Sequence, residues 1–319
     1  MMNNFTIIRS ALASLPSAGI VRLFQENGLR VIGTDIIEES SARYLVDGFY
    51  KVSRSTPENA EAVIREYLDI VKKEKARWIV SGPENEVILL ARYENLFSEN
   101  GCCLFHPPLT TLEIITDKLL LSRFLGKNNI LSAPSFSPAD TKGIKSEKIV
   151  VKPRHGRGSA GVRILQNKKP EIKKEIEHLS PDLYVVQPFL RGKEYTVDVL
   201  CDDQGKILGI VPRERLAVES GIAIAARTVQ NQNLVDAVSA LCSAISMRGF
   251  NCIQFIEEDG QYYLTDVNPR IGGGSILSLH SSDHLRKNLI AMLKNEKTTT
   301  GAGTYKIEMM FRHYNEIYV

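Results

Sequence analysis

The sequence predicts an α/β domain built on a parallel, doubly wound sheet, followed by an α+β domain in which strands are joined by turns. Three observations carry this expectation. Strand and helix patterns alternate through the first hundred residues, which is the signature of a parallel sheet with crossover helices. His106-Pro107-Pro108 interrupts the alternation. From Ile149 onward, β-branched runs separated by turn residues replace it. The expected domains are residues 1–108 and 109–319, with a smaller subdomain at about 132–190.

In chain order, Phe5–Ile8 is a short apolar strand, and Ile20–Asn27 reads as a helix stopped by Gly28. Leu29–Thr34 is a second strand closing on Asp35. Glu58–Lys75 carries Ala62, Val63, Tyr67, Leu68 and Val71 at helical period. Arg77–Val80 is a third strand, and Ser81-Gly82-Pro83 breaks before a helix from about Glu84 to Phe97. Thr116 or Asp117 caps a helix through Leu125, which Ala133-Pro134 closes off. Tyr184–Gln187, Glu194–Cys201 and Ile207–Pro212 are strands, with Asp202–Gly205 a turn. Asn233–Met247 is an amphipathic helix. Cys252–Ile256 and Gln261–Val267 form a hairpin, Asp283–Leu293 a last helix, and Tyr305–Phe311 a final strand-like run.

A dinucleotide-binding sheet needs a glycine-rich first turn. Here the turn from Arg9 to Gly19 holds a single glycine, so Asp35, placed where a ribose-binding acid would stand, lacks its partner loop. The first domain is Rossmann-like in pattern and is expected to shape one wall of a substrate cleft. Apolar residues make up 43% of the chain and charged residues 24%, an ordinary globular balance. The formal charge of +3, from 40 basic and 37 acidic side chains, is too mild to argue for nucleic acid or a membrane surface. Five cysteines without metal or disulfide spacing are expected to be free thiols in a reducing compartment. No signal-peptide pattern and no apolar run of about 18 residues is present, so the expected location is the cytoplasm.

Ile149–Leu165 reads IVVKPRHGRGSAGVRIL. Gly156, Gly158 and Gly161 match G-x-G-x-x-G, but a Rossmann fingerprint requires a helix next, and Val162–Leu165 is β-branched and alternating. The glycines, with Ser159 and Ala160, therefore sit at the tip of a strand–loop–strand unit whose free N–H groups suit phosphate oxygens. Lys152 on the incoming strand reaches the same oxygens as a point charge. Further on, Asp266 and Asn268 share a strand face at period two. A three-residue turn, Glu258-Asp259-Gly260, would pair Gln254 with Leu264 and bring Gln254 onto that face. Gln254, Asp266 and Asn268 then form an all-oxygen set suited to Mg²⁺ or Mn²⁺ shared with nucleotide phosphates. Arg270 projects from the same face, placed to neutralise a transferring phosphoryl group. Gln187-Pro188-Phe189-Leu190 leads out of the loop domain and offers backbone groups to a flat base such as adenine. Glu194 follows as a ribose acceptor.

Together these pieces resemble the ATP-grasp superfamily, in its carbamoyl-phosphate-synthetase-like branch. The motifs are T-D-K at 116–118, V-V-K-P-x-x-G-x-G-S-x-G at 150–161, V-Q-P-F-L at 186–190, G-K-E-Y at 192–195, I-Q-F at 253–255 and D-V-N-P-R at 266–270. The N-terminal part resembles the pre-ATP-grasp domain of that branch. The resemblance implies that Lys118 and Lys152 contact ATP phosphates, that 156–161 is a mobile lid loop, and that Gln187–Leu190 is the adenine hinge. It also implies Glu194 on ribose, Gln254, Asp266 and Asn268 on the metal, and Arg270 on the transferred phosphoryl. Two departures are Asp266 where the family usually has Glu, and Gln187 where it often has Glu.

Such enzymes join a carboxylate to an amine through an acyl phosphate, which needs positioning and charge neutralisation but no protein nucleophile. Arg213 and Arg215 share a strand face and are the expected anchors for the substrate's carboxylate or phosphate, with Gly273 allowing close backbone approach. Glu84 and Glu86 open a helix at the expected cleft edge. Two other readings stay open: a carbamoyl-phosphate-synthetase-like unit acting on bicarbonate or carbamate, and a nucleotide-binding regulatory module without turnover. The expected partners are small-molecule carboxylate and amine substrates, with a homodimer left open.

Overall fold

The computed structural model describes residues 5–14, 16–156, 160–167, 169–313 and 315–318. The first half is the predicted α/β unit. β1 (Phe5–Ser10), α1 (Ser17–Glu26), β2 (Leu29–Asp35), β3 (Gly48–Lys51), α2 (Ala60–Glu74) and β4 (Trp78–Val80) come first. α3 (Glu84–Arg92), α4 (Glu94–Glu99) and β5 (Cys103–Leu104) follow. The strands are all parallel, in the order β3-β2-β1-β4-β5. Because side chains alternate along a strand, neighbours divide between the two faces. Ile8, Ile32 and Ile79 pack on α2 through Val63, Ile64, Tyr67 and Val71. Ile7, Val31 and Val80 face the other way, onto Ile20, Val21 and Phe24 of α1. Asp35 accepts hydrogen bonds from Ala13 N (2.7 Å) and Ile37 N (2.9 Å). It braces the first turn, which is why a turn with so little glycine keeps its shape.

Next come α5 (Leu109–Ile115), α6 (Lys118–Lys127), β6 (Lys148–Pro153), β7 (Arg163–Gln166), α7 (Pro170–Glu177) and β8 (Tyr184–Pro188). β7-β6-β8 is a separate antiparallel sheet with its own small core of Ile144, Ile149, Val151, Ile176 and Val186. The glycine loop therefore joins two antiparallel strands, as expected, and opens no helix.

The remaining elements are β9 (Lys193–Cys201), β10 (Ile207–Glu219), β11 (Ile222–Thr228), α8 (Gln232–Ala244), β12 (Gly249–Glu258) and β13 (Gln261–Asn268). α9 (Ser275–Ser281), α10 (Asp283–Leu293) and β14 (Met309–Phe311) complete the chain. The six strands form one antiparallel sheet, β13-β12-β9-β10-β11-β14. Tyr195, Val197 and Val199 of β9 point to a core with Leu234, Val238 and Leu241 of α8 and with Leu112, Ile115, Leu121 and Leu125 of α5 and α6. Leu200, Leu208 and Phe250 instead join the core beneath the N-terminal sheet, with Leu285, Leu289 and Leu293 of α10. That shared core fixes the two halves against one another.

β10 runs through Pro212, where the sequence pattern ended it. Val229 N–H donates to Pro212 O, and the Val229 carbonyl, which proline cannot serve, accepts from Tyr305 Oη at 3.1 Å. β3, β5, β11, α7 and α9 carry no signal that the sequence reading used.

Candidate active site

The β12–β13 hairpin builds the oxygen-rich face by a route the sequence did not predict. Its turn has two residues, Asp259 (φ 52°) and Gly260 (φ 77°), and Glu258 pairs with Gln261. Two positive φ values in a two-residue loop match the twist of a hairpin. Continued without irregularity, that register would place Gln254 opposite Thr265, one residue out of phase with Asp266. A β-bulge corrects it: Phe255 pairs with Leu264, and Gln254 pairs with Asp266. Thr265 is the extra residue. The expected three-residue turn and the Gln254–Leu264 pairing are thus wrong. The bulge nonetheless sets Gln254 directly across from Asp266, with Asn268 two residues on.

These residues line a cleft of about 360 Å³ between the six-stranded sheet, the small sheet and the N-terminal domain. Lys118, Lys152, Gly156, Arg215, Arg270 and Gly273 line it too. Asp117 caps α6 by accepting from Leu119 N (2.9 Å) and Leu120 N (3.1 Å). The same carboxylate takes Arg154 in a fork, with Nε at 3.0 and 2.9 Å and Nη2 at 2.8 Å. Burial raises the Asp117 pKa, but Arg154 and the helix amides outweigh it and hold the carboxyl below its usual range. This clamp ties the start of the glycine loop to α6. Lys118 Nζ donates to Gly156 O at 2.9 Å.

Lys152 stands on β6, half-buried in the cleft wall. Burial lowers its pKa to about 8, against the attraction of Asp266 and with the repulsion of Lys118. Arg270 donates through Nη2 to Asn268 Oδ1 at 3.4 Å, and its Nε is buried with no hydrogen-bond partner. Gln254, Asp266 and Asn268 supply oxygens only, and Asp266 is their single carboxylate. A divalent ion here would need further oxygens from water or phosphate, which suits Mg²⁺. Among the described residues no three His, Cys, Asp or Glu side chains gather as a metal site elsewhere.

Gln187–Leu190 and Glu194 lie outside the lining of this cleft. Gln187 is buried, and its Nε2 donates to Ser135 Oγ at 2.7 Å. Val186 exchanges backbone hydrogen bonds with Phe136 on one edge of β8, while Phe189 N–H donates to Lys148 O on the other. By alternation Pro188, the last residue of β8, faces the Phe136 edge, and Leu190 lies beyond the strand. Glu194 pairs with Arg215 Nη1 at 2.9 Å. Gly158 and Ser159 lie outside the described residues. Gly161 (φ 73°) follows them, at the foot of β7.

The two expected substrate arginines part company. Arg215 faces the cleft and also donates to Gly221 O at 2.8 Å. Arg213 is 2% exposed and is committed to Asp198, at 2.8 and 3.2 Å, reaching only a recess of about 60 Å³ beside the cleft. Asp198 is fully buried and also accepts from Ser275 Oγ (2.9 Å), Ser278 Oγ (2.6 Å) and Cys252 Sγ (2.9 Å). Arg213 thus belongs to a buried network that seats the Gly272–Ser278 segment. Glu86 is occupied by Ser10 and by Tyr67 Oη at 2.8 Å, and burial raises its pKa. It braces β1 from behind and does not line the cleft. Arg9 does line it, and sequence reasoning missed it. The usable signal was its place at the carboxyl end of a central parallel strand, where α/β sheets gather ligands.

The ATP-grasp domain family matches residues 115–274, which is 160 of the 319 residues. The PylC-like N-terminal domain family matches residues 16–105. The carbamoyl phosphate synthase large chain of Agathobacter rectalis is 30% identical over 172 residues, covering 48% of this chain and 16% of that protein. The chain thus spans a minor part of that relative's length. Among solved structures, the biotin carboxylase domain of Hydrogenobacter thermophilus 2-oxoglutarate carboxylase, a dimer in complex with MgADP, ADP and bicarbonate, superposes with a TM-score of 0.72. Identity is 16%, over 94% of this chain and 72% of that one. The L-amino acid ligase of Bacillus licheniformis gives 0.68 and 19%, over 92% and 75%. These structures share the fold. With half its length matched by the family and every strand of the site in place, the chain belongs to the ATP-grasp family.

Proposed function

We propose that the protein is an ATP-dependent ligase that joins a carboxylate to an amine or related nucleophile, releasing ADP and phosphate. The observation that carries this is the convergence of Lys152, the Gln254/Asp266/Asn268 face and Arg270 on one cleft that Gly156 and Ala160 also line. Lys118, Lys152 and the 156–161 loop bind the ATP phosphates, the backbone of Gln187–Leu190 reads adenine, and Glu194 takes ribose once released from Arg215. Gln254, Asp266 and Asn268 would hold Mg²⁺, which would neutralise charge on the phosphates. A carboxylate oxygen attacks the γ-phosphorus, the bond to the β–γ bridging oxygen breaks, and ADP leaves. The amine nitrogen then attacks the acyl carbon, phosphate departs, and the amine loses a proton. Arg270 and Lys152 neutralise the transferring group. On this reading residues 1–108 wall the substrate side, 109–319 carry ATP, and about 132–190 form the lid.

The test is ADP and phosphate release with ATP, Mg²⁺ and pools of carboxylates and amines. Release that depends on a carboxylate and is raised by an amine is expected. Dependence on bicarbonate alone would favour the carbamoyl-phosphate-synthetase-like reading, for which similarity to that enzyme's large chain is the supporting observation. Nucleotide binding without turnover on any pool would favour a regulatory module, and AMP as product would sink the acyl-phosphate mechanism.

Lys152 gives the site a pH signature. With its free pKa lowered to about 8 by burial, the lysine holds its charge below that pH and sheds it above. Bound phosphates raise the pKa, so ADP binding above pH 8 must take up a proton. ADP affinity is therefore full below pH 8 and falls as pH rises, by up to about tenfold per unit. Calorimetry at pH 7 and 9 should show this, and Lys152→Met should weaken binding and flatten the slope. A slope unchanged in the variant removes Lys152 from the phosphates.

A further inference from the structure

Arg9 is the next-to-last residue of β1, the central strand of the N-terminal sheet, and is 1% exposed, yet it forms part of the cleft wall. Its Nη1 donates to Val80 O at 3.1 Å, and its Nε is buried with no hydrogen-bond partner. Among the described residues no carboxylate pairs with it directly. Glu86, the acid whose charge it feels, is hydrogen-bonded to Ser10 and Tyr67 instead. Burial, and then the charge of Arg270, lower its pKa to about 10, so it stays a cation at neutral pH.

The chain makes room for this guanidinium. A Cβ on Gly82 would lie 3.2 Å from Arg9 Nη1 and 2.9 Å from Ala11 Cβ. Gly82 has no left-handed backbone to explain it, so the glycine is there for space. A buried cation without an ion pair is costly, and half-buried Arg270 lines the same cleft. The two guanidinium groups on one cleft form an anion site divided between the two domains.

We infer that Arg9 receives an anionic group of the substrate, carboxylate or phosphate, other than the carboxylate that is activated. The substrate then carries at least two anionic groups. This rests on the ligase reading and deepens it. The nucleotide's phosphates are met by Lys118 and Lys152 from α6 and β6, whereas Arg9 comes from the N-terminal domain. The reacting carboxylate is a poor match for Arg9, because a guanidinium fork on both oxygens would tie up the lone pairs that must attack phosphorus. A second anion at Arg9 leaves the first free beside Arg270.

The full chain holding ADP and Mg²⁺ is titrated by calorimetry with succinate, phosphoglycolate and propionate. At least one of the two dianions should bind tenfold or more tightly than propionate, and which one separates a carboxylate from a phosphate subsite. Arg9→Met should erase the preference while ADP affinity stays within about twofold. Arg9→Lys, which keeps the charge and loses the fork, and Gly82→Ala, which displaces the guanidinium, should each reduce the preference at least threefold. These two decide the matter if Arg9→Met fails to fold by circular dichroism. Dianions binding no better than propionate, or a preference that survives the variants, overturns the proposal. The preference without turnover on any substrate keeps the anion site and removes the ligase; turnover without the preference does the reverse.

Discussion

Arg270→Ala is expected to lower kcat by about 10³-fold while leaving the affinity for ATP within a few-fold of the parent. The size follows from the contribution that an arginine placed on a transferring phosphoryl group makes. Its side chain is well prepared for that work. The guanidinium rests on Asn268 Oδ1, its Nε is buried and unpartnered, and its peptide nitrogen is bonded to Asn268 O at 2.9 Å. The guanidinium is held at the cleft before the substrate arrives, so little reorganisation accompanies the reaction. ATP binding should survive because the proposed nucleotide contacts, Lys118, Lys152 and Gln187–Leu190, stand on other elements. Initial rates of ADP release with ATP varied at saturating carboxylate give both quantities. An unchanged kcat takes Arg270 out of the chemistry. A loss confined to the KM for ATP would make it a ground-state phosphate ligand. Arg270→Lys separates charge from geometry: it should recover part of the rate, because a point charge cannot reproduce the planar fork.

How far the sequence carried the site depends on the range over which each feature is encoded. Asp266 and Asn268 were legible because period two is a local property of a strand. That Gln254 joins them was inferred with the wrong turn. The actual register needs a bulge at Thr265, and nothing in Gln254–Asn268 marks a bulge, since no glycine stands there except at the turn itself. The glycine loop was legible through the β-branched run on its far side, where a Rossmann turn needs a helix. Arg213 and Arg215 looked equivalent because they share a face of β10. What divides them is Asp198, which lies across the ladder from Val211, a pairing that sequence spacing does not encode. Arg9 was invisible for the opposite reason. An arginine near the end of a strand reads as solvent-exposed, whereas this one is 1% exposed with its Nη1 on Val80 O.

The buried Asp198–Arg213 network yields the largest stability effect. Asp198→Ala should cost about 3–5 kcal/mol, the penalty for stranding one member of a buried ion pair. Arg213 would keep its charge at 2% exposure with no counter-ion, and the hydroxyls of Ser275 and Ser278 and the Cys252 thiol would lose their acceptor. The damage would spread along the chain to the site. Ser275 Oγ also accepts from Gly272 N at 2.9 Å, and Cys252 Sγ touches Arg270 O at 3.2 Å, so the same network seats the segment that carries Arg270. Gly274 packs directly on the Arg213 guanidinium, where a Cβ would come within 2.2 Å of Nη1. Denaturant unfolding of Asp198→Ala, of Arg213→Met and of the double variant Asp198→Ala/Arg213→Met measures the pair as a cycle. The double variant should be less destabilised than Asp198→Ala, because removing both charges leaves none stranded. A loss below about 1 kcal/mol in Asp198→Ala would mean that the pair is not buried as described. The double variant also settles what remains of Arg213 as a substrate anchor. If its kcat and KM for the carboxylate match the parent, Arg213 acts only by holding the Gly272–Ser278 segment. A KM raised tenfold or more at unchanged kcat would return it to the substrate.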